Sequence, residues 1–240
     1  MKLVTWNCNM RFREKYQLID YLEYDILVIP ESESPELLEK KKVQLLNIDH
    51  QWFSCNRKQH KGLSIINTNK YRLSLAEFYN PDFKLVIPMK VERLKKEYFY
   101  LYAIWANNPS DSHYRYIGQI WKAIIQYRQY LESYPSILIG DFNSNKIWDK
   151  PWRNWNHTDT TKILEDCSIY SCYHAFFQEK QGEESQPTLF MYRKREKPYH
   201  IDYCYASKHF IDKLIKVEVG KYNEWISTSD HMPVFFHFSD

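Results

Sequence analysis

Eight short apolar runs, several of them apolar at every position, limit what this chain can fold into. They are Leu3–Trp6, Ile26–Ile29, Leu63–Ile66, Leu85–Ile87, Tyr98–Trp105, Ile137–Ile139, Ile201–Tyr205 and Val234–Phe238. Their brevity and their β-branched and aromatic residues mark them as strands. Runs such as Ile26-Leu27-Val28-Ile29 do not alternate with polar residues, so these strands are covered on both faces.

Helical signals fall between the runs. Ser34-Pro35-Glu36 sets a capping residue before a proline at the first helical position. Tyr114–Leu131 carries Ile117, Ile120, Trp121, Ile124 and Ile125 at helical spacing, and Thr158–Asp166 and Lys208–Leu214 are shorter helices. An early β-α-β is followed by consecutive strands from about Trp52 to Trp105, then a long helix, then strands again. Consecutive strands call for antiparallel pairing, so two sheets covered by helices fit this order. Neither a linker nor a repeat divides the chain, and residues 1–240 read as a single domain. The polar stretch Gln178–Gln186 reads as a loop within it.

Charge does not point to a polyanion partner, since 33 basic residues face 30 acidic ones. Local basic clusters at Lys40–Lys42, Arg57–Lys61 and Arg193–Lys197 matter more than the total, and each reads equally well as a solvated surface run. The five cysteines, Cys8, Cys55, Cys167, Cys172 and Cys204, include no CxxC pair. No stretch has signal-peptide character or the roughly 20 apolar residues of a membrane span. A cytoplasmic protein with buried, reduced thiols is expected, with no membrane and no protein partner. The Cys/His spacing does not suit zinc.

Polar residues gather where strands end: Trp6-Asn7, Pro30-Glu31, Gly140-Asp141-Phe142-Asn143 and, before the last strand, Ser229-Asp230-His231. A fifth group, His200-Ile201-Asp202, opens a strand. Mg²⁺ takes a few hard oxygen ligands and keeps much of its water. Glu31, Asp141 and Asp230 could supply such ligands, with Asn7 as a neutral donor or orienter. Cleaving a phosphodiester also needs a positioned water and donors for the charge developing on phosphate oxygens. Asp141 could activate the water, Asn143 and His231 could donate to the phosphate, and Asp202 could hold His231 protonated. Taken singly, each acid is more often a turn former or helix cap.

In this order and over this span, the five clusters resemble the endonuclease/exonuclease/phosphatase superfamily, whose members include exonuclease III-type repair nucleases and pancreatic-type deoxyribonucleases. Gly140-Asp141-Phe142-Asn143 with Ser229-Asp230-His231 far downstream is the specific part of the signature. The resemblance implies a four-layer α/β (α+β) sandwich of two facing mixed, largely antiparallel sheets flanked by helices, and a site at one edge of the sheets. It makes Glu31 the principal metal ligand, with Asn7 in its shell and Asp230 a second acid near the metal. Asp141 becomes the residue that activates water, Asn143 and His231 the phosphate contacts, and Asp202 the partner of His231. The implied cofactor is Mg²⁺, with Mn²⁺ as a substitute.

Ala103-Ile104-Trp105-Ala106-Asn107-Asn108-Pro109 is similar to a loop that brings a Tyr and an Asn to the phosphate in the repair nucleases. Asn107 falls at the Asn position, whereas Ile104 or Trp105 replaces the Tyr. Pro187–Tyr192, followed by basic residues and His200, looks like the segment that sets aromatic side chains beside a flipped nucleotide, with His200 where Arg is usual. The histidine that deoxyribonucleases carry after the middle strand is missing at Trp105-Ala106, and the Cys-Asp-Arg motif of inositol phosphatases is absent. A nuclease acting on nucleic acid, DNA before RNA, is therefore expected ahead of a phosphomonoesterase, a lipid-directed phosphodiesterase or a non-catalytic binding module.

Residues 145–157, after Asn143, interleave Trp148, Trp152 and Trp155 with Lys and Arg. Exposed aromatics there would stack bases, and Trp148 or Trp152 is the expected contact. Equally, these tryptophans could anchor a long loop. His157 could reach the site or serve as a helix cap.

Overall fold

A computed structural model describes residues 1–43, 45, 49–54, 60–93, 97–107 and 111–239. Cys55, residues 57–59 of the second basic cluster, and Asn108 and Pro109 lie outside the described residues.

The strands, in chain order, are β1 (Lys2–Thr5), β2 (Ile26–Glu33), β3 (Asp49–Ser54), β4 (Lys61–Asn67), β5 (Tyr71–Leu75), β6 (Val86–Arg93), β7 (Tyr98–Trp105) and β8 (Ser136–Asp141). After them come β9 (Ile169–Ser171), β10 (Leu189–Phe190), β11 (Pro198–Tyr199), β12 (Asp202–Ser207), β13 (Leu214–Val219) and β14 (Val234–Phe238). One six-stranded sheet runs β13-β14-β1-β2-β4-β3 and the other β5-β6-β7-β8-β12-β9, while β10 and β11 form a separate hairpin. Both sheets are mixed: β1–β2 and β7–β8 pair in parallel, and the remaining pairs are antiparallel.

Two faces of each sheet are covered, as the non-alternating runs require. Leu3, Ile26, Val28, Leu63 and Ile65 of the first sheet meet Leu101, Ala103, Ile137 and Ile139 of the second in the central core. The outer face of the second sheet, with Tyr102, Ile104 and Leu138, packs under helices α2 (Ile117–Ser133) and α3 (His157–Asp166). Val4, Trp6, Leu27 and Ile29, on the outer face of the first, pack under Phe12, Ile19 and Leu38. Leu38 comes from helix α1 (Pro35–Lys40), whose cap is the expected one: Leu37 N donates to Ser34 Oγ at 3.3 Å. The result is the four-layer α/β sandwich.

Differences from the sequence reading are local. The long helix begins at Ile117 instead of Tyr114, because Asp111 Oδ1 captures the His113 and Tyr114 N–H groups in a turn and Tyr116 has φ 55°. Lys208–Leu214 splits into a one-turn helix, Lys208–Ile211, and edge strand β13, whose lysine and glutamate lie on its open face. Four free cysteines, Cys8, Cys167, Cys172 and Cys204, are buried. Among the described residues, no helix is long and apolar enough to cross a membrane.

Candidate active site

Parallel strands β1 and β2, and parallel β7 and β8, bring their C-terminal ends to one edge of the sandwich. β14 runs antiparallel to β1, and β12 to β8, so their first residues reach the same edge. Asn7, Glu31, Asp141, Asp202, Asp230 and His231 therefore converge from five strands by topology alone.

At Gly140 the backbone has φ +145°, and a Cβ would lie 1.9 Å from Ile104 O. Only glycine allows β8 to press so closely on β7, where Ile104 faces Gly140 and Trp105 faces Asp141. Phe142 is buried beneath the second sheet's helices, and its N–H donates to Ile201 O at 2.9 Å. Thus pinned on both sides, Asp141 is 1% exposed. Its Oδ1 accepts from Asn143 N at 2.8 Å, and its Oδ2 accepts from Asn7 Nδ2 at 2.9 Å and Asn143 Nδ2 at 3.1 Å. Burial, and then the charge of Asp202, push its carboxyl up to about 7 against the pull of His231 and these donors.

Asp202 faces Asp141 across the β8–β12 ladder. Its Oδ2 accepts from Thr188 Oγ1 at 2.7 Å and lies 2.9 Å from His231 Nδ1, while its Oδ1 is buried without a partner among the described residues. Burial opposes a charged His231, but the Asp202 carboxylate, through charge and hydrogen bond, with Asp141 and Asp230 behind it, raises the imidazole to about 10. At neutral pH His231 is an imidazolium donating to Asp202. Asp141, Asp202 and His231 offer ligand atoms all within 4.8 Å of one another, a spacing that could hold a metal ion. Two of these three groups are carboxylates, the hard oxygen donors that Mg²⁺ prefers, and Asn7 joins this cluster to Glu31.

Glu31 sits where the β2–β4 register shifts between Pro30 and Ser32, with φ 62°. Such a bulge re-aims one side chain of a strand. Its Oε1 lies 3.4 Å from Asn7 Nδ2. On the other side of Asn7, the carboxamide oxygen accepts from Asn9 N at 2.9 Å, and Asn9 Nδ2 donates to Asp230 Oδ1 at 2.6 Å. Ser229 ties the segment together, donating from Oγ to Asn7 O at 2.7 Å and accepting from His231 N at 3.0 Å. A continuous hydrogen-bonded chain therefore links Glu31, Asn7, Asp141 and Asp230.

No family model matches the sequence, and no curated protein matches it either. Solved structures do. The chain resembles the 3′ phosphatase NExo from Neisseria, solved with a product DNA hairpin, at TM-score 0.68 and 19% identity over 100% of both chains. An AP endonuclease from Archaeoglobus fulgidus matches at TM-score 0.69 and 15% identity, again over 100% of both. The Leishmania major AP endonuclease matches at TM-score 0.74 and 12% identity, over 100% of this chain and 87% of that one. The fold is that of the endonuclease/exonuclease/phosphatase superfamily.

On this endonuclease/exonuclease/phosphatase fold, the outlying residues separate into surface and interior. Trp152 is 79% exposed. Trp148 is half-buried, its ring 5.0 Å from that of Tyr199. Trp155 is the loop's anchor, wedged against His113 and Tyr114 and close to Gly118 of α2. Asn107 is half-buried after β7. Two expected substrate contacts are not available as such. Trp105 is 2% exposed in the central core, because β7 turns that side chain between the sheets. His200 is also buried, with Nδ1 2.7 Å from Gln186 O and its ring against Tyr173 and Tyr203; burial lowers its pKa. His157 is interior too, its Nε2 3.0 Å from Gln181 Oε1 and its pKa lowered to about 4 by burial.

Three site residues escaped the sequence reading. Thr188 orients Asp202, Asn9 orients Asp230, and Lys61 Nζ lies 2.7 Å from Glu31 Oε2. Asn9 had a signal, standing two residues after Asn7. Thr188 and Lys61 lie in stretches the sequence marked, Pro187–Tyr192 and Arg57–Lys61, but their partners are set only by the β10–β11 hairpin and the β2–β4 register.

Proposed function

We propose that the chain is a divalent-metal-dependent phosphodiesterase that hydrolyses nucleic acid, DNA in preference to RNA, with one catalytic domain spanning residues 1–240. The observation that carries this reading is geometric: at one buried edge, both oxygens of Asp141 are aimed by amide donors, and Asp202, held by Thr188, lies 2.9 Å from His231 Nδ1. A carboxylate and an imidazole so placed supply a base and a donor within one site. Asp141, with both oxygens aimed by amide donors, accepts a proton from the attacking water. His231, aimed by Asp202 and Thr188, donates from Nε2 to a phosphate oxygen as charge grows there. Asn143 holds Asp141 in the free protein and reaches the phosphate from the same edge.

Glu31 and Asp230 are hard oxygen donors suited to Mg²⁺, with Mn²⁺ as a substitute, and Asn7 orients Glu31 and Asp141 through its Nδ2. Bound there, the ion would supply charge neutralisation at a phosphate oxygen. In this reading Trp148, Trp152 and Asn107 contact the substrate, Trp152 being the most exposed of the three. The full-length fold match to DNA-processing structures supports nucleic acid as the substrate. A second reading has one observation behind it: a neighbour with the same fold is described as a 3′ phosphatase, so release of a terminal phosphate by the same centre is the alternative. Cleavage of DNA in Mg²⁺ by the parent and by Asp141→Asn tests the assignment; equal rates would refute it.

A further inference from the structure

Lys61 stands in an unusual place. The β2–β4 ladder sets it opposite Glu33. Glu33 is already taken, accepting from the Arg13 backbone N–H at 3.0 Å and ion-paired with the Arg13 guanidinium. The Lys61 ammonium turns instead to Glu31, 2.7 Å from Oε2, and lies 4.9 Å from the centroid of the Trp105 ring. A carboxylate on one side and an indole face on the other form a seat for a monovalent cation. Trp105 is fixed in the core and Glu31 by its bulge, so neither wall of the seat swings away easily. This also gives buried Trp105 a part in the site that base stacking does not.

We propose that Lys61 is an internal counter-ion of Glu31 that competes with the divalent metal for the same carboxylate. The proposal rests on the reading of Glu31 as a metal ligand. Without metal, the ammonium neutralises Glu31 and keeps it aimed into the site. A divalent ion meets a positive charge 2.7 Å from the oxygen it needs, so binding has to break the ion pair and push the ammonium outward along its flexible stem. The pair is partly open to solvent, with Lys61 31% and Glu31 20% exposed, which leaves room for that displacement. Lys61 is thus a positioning residue that sets metal affinity.

Direct Mn²⁺ binding, read by electron paramagnetic resonance or calorimetry without substrate, tests this on the full chain. Lys61→Met keeps the apolar stem and removes the charge; it is expected to bind Mn²⁺ about tenfold more tightly, whereas Lys61→Arg stays within about twofold of the parent. A structural role would predict weaker binding, or none, for the methionine variant. Equal or weaker binding by Lys61→Met, in a protein with the parent's melting temperature, overturns the proposal. Glu31→Gln separates the two levels of the argument: if it binds Mn²⁺ as the parent does, the metal reading itself fails, whereas loss in Glu31→Gln with no gain in Lys61→Met rejects only the role of Lys61.

Discussion

His231 Nδ1 lies 2.9 Å from Asp202 Oδ2, and Thr188 Oγ1 donates to that same oxygen at 2.7 Å. The hydroxyl of Thr188 also accepts from the Ile201 and Asp202 N–H groups, both at 3.0 Å, so the carboxylate is held at two levels before it meets the imidazole. Charge at His231 is therefore set, against burial, by the carboxylates around it, Asp202 before Asp141 and Asp230, and not by the histidine alone.

Replacing Asp202 with Asn should let the pKa of His231 fall from about 10 toward or below its ordinary 6.5. Rates measured from pH 6 to 10 should then decline with rising pH from near 6.5 in the variant, where the parent holds to near 10. At pH 8 the loss should be about 10²-fold, the scale of one preorganised donor. The linkage has the same sign. A pKa raised on folding contributes stability that is whole below 6.5 and is lost as pH climbs through about 10. Chemical denaturation across that window should show the parent losing this increment and Asp202→Asn lacking it.

Asp141 has the opposite sign for a carboxylate. Its carboxyl is raised from 3.8 to about 7, so the folded state holds the proton more tightly, and its contribution to stability falls as pH rises from about 4 to 7. Asp141→Asn should therefore gain on the parent between pH 4 and pH 8, by several degrees in melting temperature at about 2–4 °C per kcal/mol. Activity should fall about 10²- to 10⁴-fold, as expected on removing a general base.

Gly140→Ala should cost about 3 kcal/mol or more, since the new Cβ meets the Ile104 carbonyl and φ is left-handed. Urea unfolding would measure it. No loss there would mean that β7 and β8 are not pinched together in solution.

Trp152→Ala should weaken nucleic-acid binding by about 1–3 kcal/mol, or roughly 5- to 150-fold, without lowering the melting temperature. Trp105→Ala should do the reverse, destabilising the core by about 3–5 kcal/mol. Fluorescence anisotropy with a labelled oligonucleotide, alongside thermal melts, separates the two.

The sequence shows the strands most clearly where both faces are covered: Tyr98–Trp105 and Val234–Phe238 have the expected limits. β13 escaped because Lys216 and Glu218 face solvent and interrupt its apolar pattern. Site acids were legible because strand ends carry them, and Asp141 follows a glycine that only a pinched strand needs. The inward turn of Trp105 and His200 was not legible, because aromatic and imidazole side chains serve core and surface equally well. Lys61 was hidden for a different reason: its partner is chosen by what Arg13 has already done to Glu33.

The most direct measurement of the reaction offers the purified chain single-stranded, double-stranded and abasic DNA, RNA and small phosphate esters, in Mg²⁺ and in chelator, with Asp141→Asn alongside. DNA should be cut to shorter fragments without free phosphate, only when a divalent cation is present, and the variant should be nearly inactive. Phosphate release from small esters with DNA left intact, or an Asp141→Asn variant as active as the parent, would contradict this reading.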